Sequence, residues 1–205
     1  PLMLWMEKLG KQPAKEAGEA AYWGTVMEPI LRQEFAKRTG LTVEEVPFLF
    51  QCKEHPYMLA DVDGIVRETN GSVSLLEIKT AGSYAAADWA DGLPAEYYLQ
   101  VQHYMAVLDL PKAYIAVLLG GNQFSYHEIL RDEDVVQNII RLEESFWQHV
   151  TNNVKPPVDA SDSTAEALAL LYPKGNKTSI LLPDESDQLV NYYMQTKNAE
   201  AQDKK

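Results

Sequence analysis

MLADVDGIVRETNGSVSLLEIKT, residues 58–80, is the stretch on which both the fold and the chemistry turn. Two short runs rich in Val, Ile and Leu flank an Asn70-Gly71 turn signal, which predicts a β-hairpin. Asp61, Asp63, Glu77 and Lys79 interrupt those apolar residues. Asp is depleted in strands, and a charge beside Val, Ile and Leu is costly unless something compensates it. Loop length decides which charges meet. A two-residue Asn70-Gly71 turn pairs Thr69 with Ser72 and sends Asp63 and Glu77 to opposite faces. A three-residue Thr69-Asn70-Gly71 loop pairs Glu68 with Ser72, Asp63 with Glu77 and Asp61 with Lys79. Gly71 then falls where a type I turn plus bulge needs left-handed backbone, so this register is the one expected.

In that register the Asp63 and Glu77 Cβ atoms lie roughly 5 Å apart on one face. Two carboxylates at that spacing repel unless they share a proton or a cation. Lys79 follows on the same face. A hard divalent ion with oxygen ligands, Mg²⁺ or Mn²⁺, resolves the repulsion and keeps coordination positions for water and a phosphate oxygen. The lysine then positions or activates the attacking water and offsets transition-state charge. That set suits phosphodiester hydrolysis. Two other readings stand beside it. One is a solvated strand face with cross-strand ion pairs, each worth at most about 1 kcal/mol. The other is a glycosidase-like carboxylate pair, although Lys79 suits a phosphate better than an oxocarbenium ion.

The chain has 205 residues, 46% of them hydrophobic and 10% aromatic, which is enough for a folded domain of ordinary size. Its single cysteine, Cys52, excludes an internal disulfide and a cluster held by four thiolates, and so an iron–sulfur exonuclease. No run of 18 apolar residues points to a membrane span, and the N-terminus lacks signal-peptide character. A net charge of −12 argues against coating nucleic acid non-specifically, but leaves room for a local grip through metal and a few cations.

Along the chain, residues 16–39 carry helical periodicity closing on Gly40, with Pro29 expected to kink or restart the helix. LTVEEVPFLFQC (41–52) reads as one strand. Small residues before Pro94 form a loop or short helix, and 95–110 reads as a helix with Pro94 at its first position. Two strands surround Gly120-Gly121-Asn122, and RDEDVVQNIIRLEESFWQHV is an amphipathic helix. This order predicts an α/β (α+β) fold with a mixed, mostly antiparallel sheet flanked by helices, rather than a βαβ nucleotide binder. Residues 1–153 form the main domain. Residues 154–205 read as a linker and a helical or flexible extension, with YPKGNKT (172–178) as a break and KNAEAQDKK frayed.

WGTVMEPILRQEFAKRTG (23–40), EHPYMLADVDG (54–64), LLEIKTA (75–81) and YYLQVQHYMAVL (97–108) stand in an order that resembles the YqaJ-like viral recombinase family. These are relatives of phage lambda exonuclease within the PD-(D/E)xK nucleases. The resemblance covers residues 2–150, about three-quarters of the chain. It implies a restriction-endonuclease-like core. Asp63, Glu77 and the backbone carbonyl of Ile78 become metal ligands, with Glu28 reaching the metal directly or through water. Lys79 becomes the catalytic lysine. Gln100 and Tyr104 match a Gln-x-x-x-Tyr motif whose i, i+4 spacing puts both on one helix face, near the catalytic centre or DNA. Asp61 is a supporting acid or a partner of Lys79.

The resemblance further implies two Mg²⁺ ions per site, replaceable by Mn²⁺. The substrate is linear double-stranded DNA degraded from a 5′ end. The partner is a single-strand annealing protein, the assembly a homo-oligomer such as a ring-shaped trimer, and the setting the cytoplasm of a bacterial host of a phage or prophage. A segment containing Gly and Ser is expected ahead of LWMEK (4–8). A non-catalytic DNA-end or partner-binding module and a site-specific endonuclease are the alternatives on the same core. Without the resemblance, Glu28 reads as a solvated first-turn acid, and Gln100 with Tyr104 as a buried polar pair. His55 and His103 read as a turn and a packed or DNA-near histidine, because no His/Cys ligand set surrounds them. Trp23, Trp89, Tyr97 and Tyr98 read as core or loop anchors.

Overall fold

A computed structural model of the chain describes residues 1–13, 16–90, 92–173, 179, 181, 183 and 185–203. It comprises two compact units, Pro1–Asp159 and Ala160–Lys205. The first is built on a five-stranded sheet in the order β1-β4-β5-β6-β7. Its strands are β1 (Thr42–Glu44), β4 (Gly64–Arg67), β5 (Val73–Ala81), β6 (Lys112–Leu119) and β7 (Gln123–Leu130). A two-stranded ribbon, β2 (Phe50–Gln51) with β3 (Leu59–Ala60), stands apart from it. Every neighbouring pair in the sheet is antiparallel except β5 with β6. That pair is joined through α4 (Ala95–Leu108), so a βαβ crossover lies inside a sheet that otherwise follows the hairpin expectation.

The expected hairpin register is present. Ile65 faces Leu75 and Arg67 faces Val73, the Glu68 amide donates to the Ser72 carbonyl at 2.9 Å, and Gly71 is left-handed at φ +84°. The Asn70 side chain accepts from the Ser72 amide at 2.9 Å and braces the loop. The strand ends earlier than expected on its N-terminal side. Residues 61–63 leave the ladder, because Leu59–Ala60 pairs with β2 instead of continuing along β5. Asp63 therefore does not pair with Glu77 in the ladder, nor Asp61 with Lys79, which faces Val117 on β6. Gly64 sits at the point of closest approach. A Cβ there would lie 2.8 Å from Val43 Cγ1, so a larger residue would force Val43 of β1 to shift beside Asp63.

Alternate residues of β5 feed two cores. Leu76 and Ile78 pack with Leu31 and Phe35 of α2 (Glu19–Thr39) on one face. Leu75 packs with Val101 and Met105 of α4 on the other. The sheet is thus sandwiched between α2 and the α4 layer, and that alternation puts Glu77 and Lys79 on the α4 side. Buried Gln102 fixes α4 by donating to the Leu130 carbonyl at 2.8 Å and accepting from the Asp132 amide at 2.9 Å. α5 (Glu133–Thr151), capped by Asp132, packs beside α4. α1 (Leu2–Lys8) joins it through the Trp5 indole, which donates to the His149 carbonyl at 3.0 Å.

α2 runs through Pro29 as one helix, so of the expected kink or restart the restart does not occur, and it ends on left-handed Gly40. Burial of Leu31, Arg32 and Phe35 just beyond the proline offsets the lost backbone hydrogen bond. The single strand expected over 41–52 is split into β1 and β2, with Pro47 between them, which cannot donate to a ladder. A 3₁₀ turn at Ser83–Ala85 and α3 (Ala86–Ala90) fill the small-residue stretch before Pro94, which is the N-cap of α4 rather than its first helical residue. In the second unit α6 spans Asp162–Leu171 and α7 spans Glu185–Asp203. α7 extends to Asp203, through residues expected to fray, where Ala, Glu and Gln favour helix; residues 204 and 205 lie outside the described residues. Residues 174–178 of the expected break lie outside the described residues.

Candidate active site

Glu77 lies mid-strand in β5 and is 4% exposed, the most buried carboxylate in the sheet's α4-facing layer. Its Oε1 accepts from Lys79 Nζ at 2.6 Å and from Gln100 Nε2 at 3.0 Å. The same Gln100 amide donates to the Tyr104 hydroxyl at 2.9 Å. The i, i+4 pair on α4 therefore acts as one unit that orients the carboxylate. Glu77 Oε2 is buried and has no hydrogen-bond partner. A buried acceptor left unsatisfied costs about 1–3 kcal/mol, a demand that a cation or a water would meet.

Asp63 enters from the loop before β4. Its Oδ2 accepts from the Ile78 amide at 2.6 Å, and its backbone carbonyl accepts from Arg32 Nε at 2.8 Å. Burial raises the Asp63 carboxyl, with Glu28 adding to the effect, against the Ile78 amide, Lys79 and Arg32, which pull the other way. Burial also raises Glu77, to about 7, and the charge of Asp63 adds to that shift while Lys79 and Gln100 oppose it. One ammonium, Lys79, does not offset the burial of the two acids and their mutual repulsion.

Arg32 is the residue that the sequence reading missed. Its guanidinium is buried and joined to Glu28, to Glu45 at 3.0 Å and to the Asp63 carbonyl. Glu28 is thus half-buried and held by Arg32 one turn further on rather than aimed freely at the acid pair. The i, i+4 spacing of Glu28 and Arg32 was the available signal. Asp61 is exposed, and the carboxylate that meets Lys79 is Glu77. His55 sits in the turn against Tyr57. His103 lies 2.8 Å from the Leu59 carbonyl through Nε2 and 2.8 Å from Glu143 through Nδ1, which ties α4 to β3 and α5. Burial would lower the His103 pKa, but the Glu143 carboxylate and the Leu59 carbonyl outweigh it and raise it.

A family model for the YqaJ-like viral recombinase domain matches residues 1–111. The chain belongs to the YqaJ-like viral recombinase family. Every residue of the acid pair and its supports, from Glu28 to Tyr104, falls inside the matched span. The YqaJ-like chain is 35% identical over 201 residues to the uncharacterized protein YqaJ of Bacillus subtilis strain 168, covering 95% of this chain and 62% of that protein. It thus spans under two thirds of that relative's length. An alkaline exonuclease from Laribacter hongkongensis shares the fold with a TM-score of 0.63 at 22% identity, over 74% of this chain and 79% of that one. A phage-related exonuclease from Haemophilus somnus 129PT gives 0.59 at 14% identity, over 74% and 79%.

Among the described residues, no three His, Cys, Asp or Glu side chains converge as a ready-made metal site. The chemistry of the YqaJ-like acid pair nevertheless fits a hard divalent ion. Both groups are oxygen donors, Glu77 buried and Asp63 partly buried, held by fixed donors; Glu77 Oε2 is unpartnered, and both carboxyls are pushed toward the protonated form that a cation would reverse.

Proposed function

We propose that this YqaJ-like chain is a divalent-metal-dependent deoxyribonuclease that hydrolyses phosphodiester bonds of linear double-stranded DNA from a 5′ end. The observation that carries the reading is the pairing of partly buried Asp63 with buried Glu77, one of whose carboxylate oxygens is unpartnered while the other holds the Lys79 ammonium. The exonuclease fold of the solved relatives supports it, one of them having been solved in complex with dAMP.

Asp63 and Glu77 would hold Mg²⁺ or Mn²⁺, with the Ile78 carbonyl as a further ligand and Glu28 joining directly or through water; two ions per site is the full expectation. When bound, the ion supplies positive charge to the scissile phosphate and lowers the pKa of an attacking water. Gln100 fixes Glu77 through Oε1 and so leaves Oε2 for the metal. The Ile78 amide does the same for Asp63 through Oδ2. Arg32 holds the Asp63 backbone in place. Lys79 donates to a phosphate oxygen or to the attacking water and offsets developing negative charge. Tyr104 completes the hydrogen-bonded chain behind Glu77, and Asp61, at the exposed rim, supports the site or faces DNA.

The test is linear duplex DNA with and without a 5′-phosphate, closed circular DNA alongside, Mg²⁺ or Mn²⁺ present, and Lys79→Ala as control. Loss of linear DNA alone, abolished in the control, is the expected result. Cleavage of the circle would make the protein an endonuclease. A folded wild-type protein that binds ends without cutting would make it a binding module. Membership of the family supports two extensions of the proposal, a single-strand annealing protein as partner and a ring-shaped trimer around DNA. A monomer mass by sedimentation with DNA present would refute the ring. No described helix is long and apolar enough to cross a membrane.

A further inference from the structure

Lys79 meets a carboxylate on one side and an aromatic face on the other. Its ammonium lies 2.6 Å from Glu77 Oε1 and 5.0 Å from the centroid of the Tyr97 ring, over its face. Tyr97 stands in the first turn of α4, one turn before Gln100, on the helix that already orients Glu77. Its ring stacks on buried Trp89 of α3, with centroids 5.4 Å apart and planes 25° from parallel. Trp89 in turn lies 6.3 Å from the His127 ring on β7. The tyrosine is therefore backed by a second ring and a strand, and it presents a fixed π-face to the lysine.

Those two contacts respond differently to catalysis. A carboxylate that holds a divalent ion shares its charge with that ion, so its attraction for the ammonium falls, and the ion itself repels the ammonium. The negative face of an aromatic ring persists when the metal binds. We propose that Tyr97, backed by Trp89, is the positioning residue that keeps the Lys79 ammonium at the scissile phosphate once Glu77 is engaged by metal. The inference rests on the nuclease reading above. Tyr97 touches no reacting atom in this role and acts through Lys79, and the ring face, not the hydroxyl, is what the role requires.

Two measurements on the full chain test it. In metal-free protein, NMR of the Lys79 Cε protons, identified by their loss in Lys79→Arg, reads the upfield ring-current shift that a face-on ring produces. The shift is expected in the wild type and in Tyr97→Phe, and absent in Tyr97→Leu. With Mg²⁺ and linear duplex DNA, Tyr97→Leu lowers kcat about tenfold with KM little changed, and Tyr97→Phe stays within about twofold. Tyr97→pentafluorophenylalanine keeps the ring's shape and reverses its quadrupole, so it separates the electrostatic role from packing and stands in if the Leu variant fails to fold. It is expected to lose kcat as Leu does. An absent ring-current shift in the wild type overturns the proposal, as does an active wild type whose fluorinated variant cleaves equally fast. A wild type that leaves DNA intact overturns the nuclease reading and the role of Tyr97 with it, while the ring-current result still reports whether the contact exists.

Discussion

Glu77→Gln should make the metal-free protein more stable, and the gain should depend on pH. Glu77 is held at about 7 in the folded chain against an ordinary 4.5. The sign follows from proton counts. Between those values the folded state binds more protons than the unfolded one, so wild-type stability falls as pH rises through the window. Below 4.5 the carboxyl is protonated in both states and costs nothing. Above 7 the full cost is present, about 3 kcal/mol as a ceiling from the size of the displacement. Glutamine keeps an oxygen for the Lys79 and Gln100 donors but leaves Lys79 without its carboxylate, which offsets part of the gain. The net expectation at pH 8 is about 1–3 kcal/mol, or a rise in melting temperature of about 3–10 °C. All four tryptophans lie within residues 1–159, so fluorescence-monitored melting reports the unit that contains the site. At pH 5 the gain should shrink below about 1 kcal/mol. Millimolar Mg²⁺ should stabilise the wild type and leave the variant nearly unchanged. A variant that melts at or below the wild type at pH 8, or whose gain is the same at pH 5, would refute the reasoning.

Mg²⁺ binding should release protons and tighten as pH rises from 6 to 8, because the ion must displace the proton on Glu77; calorimetry in buffers of different ionisation enthalpy measures both. Arg32→Ala should cost about 2–4 kcal/mol in urea unfolding, since it strips a buried cation from Glu28 and the Asp63 carbonyl, with Glu45 too exposed to add much. Gly71→Ala should cost about 1 kcal/mol from its positive φ alone, because no atom lies near the added methyl; the same unfolding measurement reads it, and a neutral result would count against the left-handed loop. DNA affinity, read by fluorescence anisotropy with Ca²⁺ as a non-cleaving ion, should rise at least tenfold over the value in EDTA, and equal affinities would place DNA binding away from the acid pair.

The hairpin register was legible because two independent local signals agree: a side-chain period of two that a single slip would invert, and a glycine at the only loop position that needs left-handed backbone. Gly40 ended α2 for the same local reason. What the sequence did not disclose depends on partners far along the chain. Leu59–Ala60 carries no mark that distinguishes pairing with Phe50–Gln51 from continuing opposite Lys79 and its neighbours, so Asp61 was placed on the wrong ladder. The parallel β5–β6 pair requires α4 to cross over, and hydrophobic pattern alone reads the same for either strand direction. Nothing local to α2 ties Arg32 to Asp63, 31 residues further on, whose backbone carbonyl it holds. Tyr97 looked like an ordinary core aromatic because nothing in its own helix points to a lysine on a strand.

The acidity of the chain becomes intelligible at this site. The well-defined cations around the sheet are committed to the protein's own carboxylates: Arg32 to Glu28 and Glu45, Arg38 to Glu34, Arg67 to Glu44, Lys112 to Glu68, Lys79 to Glu77. A surface arranged in this way offers phosphates little. With both acids ionised, Asp63, Glu77 and Lys79 together carry one net negative charge, and a single divalent ion turns that into one net positive charge. The field that a phosphate meets is therefore reversed by metal binding, at the position where Lys79 and the Tyr97 face wait. On the proposed nuclease reading, an unloaded protein would repel the backbone and a loaded one would attract it to the acid pair. The same burial that raises Glu77 makes its ionised form costly, so the folding penalty and the proposed metal requirement would have one physical origin.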